Sequence, residues 1–194
     1  MNKQAMLSEH LASPSEAALS HVSKLDSIRL SPHFTLGEMT KTSYHPIDGN
    51  IPNRVAIENL INLCENWLEE LRARYNLRYV VTTSYGQTTP PAGTPPDSGG
   101  ETEIEVPIII NSGFRSPEVN RLAGGASQSN HLTGCAVDIR CLDKAQAIRY
   151  GCILLDIADG KKMDFDELIL EKRGTTIWVH FAVKPRGNRR YVDF

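Results

Sequence analysis

The residues best suited to chemistry in this sequence are His131, Asp138 and His180. Two imidazoles and a carboxylate, neutral or anionic at pH 7, form a ligand set suited to Zn2+, with the fourth tetrahedral position open for water. Zinc brings the pKa of such a water to roughly 7 and polarises a carbonyl, while a carboxylate beyond the ligands acts as general base. Strand alternation gives these residues their places. In 175–184, Ile177, Val179, Phe181 and Val183 share the apolar face, which leaves Trp178, His180 and Ala182 on the other. In 136–140, Val137 and Ile139 point one way, while Ala136, Asp138 and Arg140 point the other. In 166–171, Leu168 and Leu170 oppose Glu167, Ile169 and Glu171. As neighbours, the three strands present Asp138, His180 and Glu171 on a common surface. His131 lies seven residues before Asp138, on a glycine-containing loop that folds back over the strand end. Spacing leaves a second reading open, because a strand histidine is commonly structural and six histidines offer many chance triplets. His10, His21, His33 and His45 have no comparable strand-face argument.

The elements that must position these groups follow from local pattern. Residues 1–30 are polar and Ser/Ala-rich and read as an N-terminal extension, and 31–53 as an extended lead-in. Asn53 caps an amphipathic helix over 54–75, in which Ile57, Leu60, Ile61, Cys64, Leu68 and Leu71 recur at helical spacing. Tyr79, Val80 and Val81 suggest a short strand. Residues 82–107 hold five prolines and four glycines and no Lys or Arg, the composition of an insertion between two strands. A strand at 108–111 follows. Ser116 and Pro117 start a short helix through about Leu122. Asp143 caps another through about Ala158, with strands near 166–171 and 175–184 joined by a turn at 172–174. The order implies an α+β domain over 31–194, a small, largely antiparallel sheet flanked by helices.

Composition narrows the function. The chain has 194 residues, 40% hydrophobic and 23% charged, with 23 acidic and 21 basic side chains for a net charge of −2. That balance argues against a nucleic-acid binder working by bulk charge. No apolar run reaches the roughly 18 residues of a membrane span, and the N-terminus lacks the apolar stretch of a secretory signal, so synthesis in the cytoplasm is expected. Cys64, Cys135, Cys141 and Cys152 match no metal or disulfide spacing and read as buried or partly buried thiols. The basic run 184–190 reads as a solvated end, or as a contact for anionic cell-wall polymers.

The strings S-G-F-R-S at 112–116, Asn120, S-N-H-L-T-G-C-A-V-D at 129–138 and W-V-H at 178–180 resemble the zinc D-alanyl-D-alanine carboxypeptidase family, peptidase family M15. The lead-in F-T-L-G-E-M-T, Phe34 to Thr40, is most similar to its single-domain branch. The resemblance spans about 31–184, apart from the insertion, and implies the fold shared with the zinc domain of hedgehog proteins. It implies that His131, Asp138 and His180 hold zinc, and that Arg115 orients substrate or polarises the carbonyl under attack. Ser129 is then a substrate contact or a support for His131, and Trp178 a wall of the cleft. Many members place a catalytic carboxylate three residues before the last histidine. Here that position is Ile177, which leaves Glu171 as the implied base and Glu167 and Asp166 as weaker alternatives. The implied activity is zinc-dependent hydrolysis of D-amino-acid-containing peptide bonds in peptidoglycan, as carboxypeptidase or endopeptidase. With no secretion signal, the family parallel is a phage or prophage lysis enzyme, or a protein exported by another route. The missing carboxylate at Ile177 keeps a second class open, a zinc-holding cell-wall or protein binding domain without hydrolytic activity.

Overall fold

A computed structural model describes residues 27–84 and 105–194, with the backbone alone over 78–84. Most of the expected N-terminal extension and of the Pro/Gly-rich insertion lies outside the described residues. A short helix α1 (Leu36–Thr40) is closed by a reciprocal cap between Thr35 and Glu38. The Asn53 side chain then accepts from Ala56 N at 2.9 Å, opening a continuous helix. It runs through α2 (Arg54–Leu63), one π-helical turn (Cys64–Leu68) and α3 (Glu69–Ser84). Tyr79, Val80 and Val81 are therefore helical, not the strand their β-branched types suggest. Extending a formed helix costs far less than starting a new element, and no glycine or proline interrupts it before Gly86.

The remaining elements are β1 (Ile110–Ser112), α4 (Pro117–Leu122), a 3₁₀ turn (Asn130–Thr133), β2 (Ala136–Cys141), α5 (Lys144–Lys161), β3 (Glu167–Arg173), β4 (Thr176–Ala182) and β5 (Tyr191–Asp193). The strands form one sheet in the order β1-β2-β4-β3-β5, antiparallel throughout except where β5 runs parallel to β3. The class is α+β, as the element order implies. Val137, Ile139, Leu168, Val179 and Phe181 fill one face of the sheet, against Trp67, Tyr150 and Ile157 of the helices. Trp67 and Phe181 meet at 4.9 Å between ring centroids. The opposite face carries Asp138 and His180.

Two smaller expectations need correction. Cys64, Cys135 and Cys141 are buried free thiols, but Cys152 is exposed on α5. The basic run 184–190 is not a free solvated end. Lys184 and Arg189 pair with Asp166, and Arg190 pairs with Asp159 and Asp164. The chain then adds β5 to the sheet edge, because these pairs fix the approach. No helix among the described residues is long and apolar enough to cross a membrane.

Candidate metal centre

Asp138 on β2 stands directly opposite His180 on β4, so both side chains leave the same face of the sheet. His131 comes from the 3₁₀ turn. Ser129 starts that turn, its hydroxyl accepting from His131 N at 3.3 Å. Gly134 ends it at φ +71°, packed so tightly that a Cβ there would lie 2.4 Å from the Ala56 carbonyl oxygen. Arg115 N donates to His131 O at 3.1 Å, fastening the turn to the S-G-F-R-S segment.

Hydrogen bonding fixes which ring nitrogens face inward. His131 Nδ1 lies 2.6 Å from Gly113 O, a carbonyl that can only accept, so Nδ1 carries the proton. His180 Nε2 lies 3.2 Å from Glu167 Oε2, also an acceptor, so Nε2 carries its proton. The remaining nitrogens, His131 Nε2 and His180 Nδ1, approach Asp138 Oδ1 at 3.2 and 2.9 Å. Two imidazole lone pairs and a carboxylate oxygen thus converge within 4.8 Å of one another. Such a set is repulsive unless a cation sits among them, and its donors suit zinc.

The electrostatics agree. Burial would push the Asp138 carboxyl up, but His131, His180 and Arg115 outweigh it and hold the group well below the usual carboxylate range. Burial would lower the His180 imidazole, yet Asp138 and Glu167 raise it to about 9. In the absence of metal, a proton on His180 meets the same need for positive charge.

The other expected site residues stand at different places relative to this cluster. Arg115 reaches Asp138 Oδ2 through Nη2 and donates to Ser112 Oγ from Nε at 2.7 Å. It also lines a cleft of about 390 Å³ beside Asp138, together with Lys41, Tyr44, Arg173, Thr176 and Trp178. The Trp178 indole N–H is buried at this wall with no acceptor among the described residues. Ser129 touches the backbone of His131 and is not part of the cleft lining. Glu171 pairs with Trp178, one step along the sheet from the Ile169–His180 pair, hence about 7 Å further along the strand. It is not among the residues that line the cleft, and it makes no hydrogen bond or ion pair among the described residues.

The carboxylate that touches the cluster is Glu167. It bonds His180, Asn130 and Arg189, and the His180 contact is the main cause that lowers its pKa to about 2. Alternation placed Glu167 on the correct face, but sequence carries no register. The β3–β4 register, with Ile169 opposite His180, decides which glutamate reaches the ring.

Residues 101–158 match the family model described as Peptidase M15, a stretch that includes Arg115, His131 and Asp138 and stops short of Glu171 and His180. No curated protein matches the chain. The matched stretch, under a third of the chain, is therefore similar to the Peptidase M15 family, and it carries two of the three residues of the His–Asp–His convergence.

Proposed function

We propose that the protein is a zinc-dependent peptidase that hydrolyses D-amino-acid-containing peptide bonds of bacterial peptidoglycan, in the stem peptide or the cross-link. His131 Nε2, Asp138 and His180 Nδ1 hold the metal. When bound, zinc supplies an acidified water and polarises the scissile carbonyl. The observation that carries the reading is the convergence of three metal-type donors, one of which, Asp138, also lines a cleft. Substrate lies in that cleft, with the Trp178 N–H, which has no acceptor among the described residues, as donor to a backbone carbonyl.

Glu171 is the general base. It stands opposite Trp178, which lines the cleft, and no partner among the described residues occupies its carboxylate. Glu167, by contrast, has two oxygens already bonded and a depressed pKa, which makes it a poor proton acceptor. Arg115 holds Asp138 and turns its guanidinium edge to the cleft, where it supports the oxyanion or a substrate carboxylate.

The test is mass spectrometry of purified muropeptides incubated with the protein, with and without chelator. Chelator-sensitive cleavage is expected. Glu171→Gln should lose about 10²–10⁴-fold in rate with zinc retained. A second reading, a zinc-containing binding domain, draws on the absence of any bond between Glu171 and the cluster. Zinc and muropeptide binding without cleavage by the wild type would establish it instead.

A further inference from the structure

The candidate metal ligands are backed by a second group of polar side chains, none of which lines the cleft. Asp166 is fully buried, although it is charged. Its Oδ1 accepts from Arg189 N at 3.2 Å and Arg189 Nε at 2.9 Å. Its Oδ2 takes Asn130 Nδ2 at 2.9 Å, Arg189 Nη2 at 3.1 Å and Lys184 Nζ at 2.9 Å. Asn130 Nδ2 is shared, reaching Glu167 Oε2 at 2.9 Å as well. Arg189 Nη2 also bonds Glu167 Oε1.

Two of its members, Asn130 and Glu167, lead to the histidines. Asn130 immediately precedes His131 in the 3₁₀ turn, so anchoring its amide anchors that turn. Glu167 Oε2 receives the His180 Nε2 proton, which leaves Nδ1 as the nitrogen facing Asp138. Arg189 comes from the segment between β4 and β5, more than forty residues from either Asn130 or Asp138.

We infer that Glu167, clamped by Arg189 and Asn130, is a positioning residue that sets the ring orientation and tautomer of His180, and that the C-terminal segment is thereby part of the metal centre. The inference rests on the zinc reading above. A carboxylate accepting from the outer nitrogen of a metal histidine fixes the tautomer and raises the donor strength of the other nitrogen. Losing such a partner typically weakens metal binding 10–100-fold. Arg189 acts one step further out. Without it, Glu167 keeps Asn130 and His180 but loses the partner of its Oε1.

The experiment compares full-length wild type, Glu167→Ala, Glu167→Gln and Arg189→Met by zinc competition against a chromophoric chelator. The visible spectrum of the cobalt-substituted proteins and thermal melting are recorded in parallel. Glu167→Ala is expected to bind zinc 10–100-fold more weakly, with an altered cobalt spectrum. Glu167→Gln, whose amide oxygen still accepts from Nε2–H, recovers most of the affinity. Arg189→Met shows a smaller loss of the same kind. A merely structural role would lower the melting temperature and leave the affinity of the folded protein and the cobalt spectrum unchanged, which overturns the inference. If Glu167→Ala does not fold, the Glu167→Gln and Arg189→Met spectra decide, and wild-type spectra in both overturn it. No stoichiometric zinc in the wild type overturns the metal reading itself, an outcome distinct from equal affinities across the series.

Discussion

The carbonyl oxygen of Gly113 lies 2.6 Å from His131 Nδ1, and this single contact joins two sequence strings that are eighteen residues apart. Gly113 can sit there only because it has no side chain. A Cβ would come within 2.4 Å of the Met39 carbonyl oxygen, which also accepts from Phe114 N at 2.7 Å. The glycine of S-G-F-R-S therefore does chemical duty at a distance, by directing the other nitrogen of His131 at Asp138.

Gly113→Ala should separate this segment from α1 and pull its carbonyl off His131. Forced overpacking of this kind costs about 1–3 kcal/mol. Urea unfolding should show that loss, and chelator competition should show weaker zinc binding. Unchanged zinc affinity in a folded Gly113→Ala protein would show that the carbonyl does not govern the ligand.

Arg115 ties the same segment to the other side of Asp138. Removing it leaves Oδ2 of a carboxylate that is only 7% exposed without its guanidinium partner. Arg115→Ala should bind zinc about 10-fold more weakly or worse, measured by the same competition. Arg115→Lys should not restore it, because a lysine cannot reach Ser112 and Asp138 together as the guanidinium fork does. Full zinc affinity in Arg115→Ala would confine Arg115 to the cleft.

Sequence made half of this arrangement readable. Alternation alone put Val179 and Phe181 in the core and His180 opposite them, since a period of two needs no knowledge of the rest of the fold. Ser116 with Pro117, Asn53 and Asp143 marked helix starts because capping is a local bond. What alternation could not supply is register. Glu167 and Glu171 share a face, and only the pairing of Ile169 with His180 puts Glu167 on the imidazole. The C-terminal basic run was opaque for a related reason. Nothing local in 184–190 announces that Arg189 meets Asp166, twenty-three residues upstream, and charge runs of this composition usually stay in water.

Trp178 offers a kinetic prediction. Its buried indole N–H has no acceptor among the described residues, a state that few buried donors tolerate without a purpose. If substrate supplies the acceptor, Trp178→Phe keeps the cleft wall and loses one neutral hydrogen bond. Such a bond contributes about 1 kcal/mol, so KM for muropeptide should rise roughly 5-fold. Zinc content and kcat should stay near wild type. A fall in kcat at constant KM would place the indole in the chemical step instead.

Asp166 makes the protein's acid limb predictable. Burial would raise this carboxyl, but the Arg189 guanidinium, Lys184 and Asn130 outweigh it and hold it well below the usual range near 4. A carboxyl depressed in the folded state binds its proton more readily when unfolded. Its stabilisation is therefore fully present above the unfolded value and is lost as pH falls below about 4 toward the folded one. Asp166→Asn removes that term and several charge-assisted bonds, so at pH 7 the variant should be less stable by about 2 kcal/mol. Between pH 5 and pH 3, however, the wild type should lose more stability than the variant, and the two unfolding midpoints in urea should converge. Parallel acid limbs for the two proteins would assign the acid sensitivity to other carboxylates and leave Asp166 a role in packing alone.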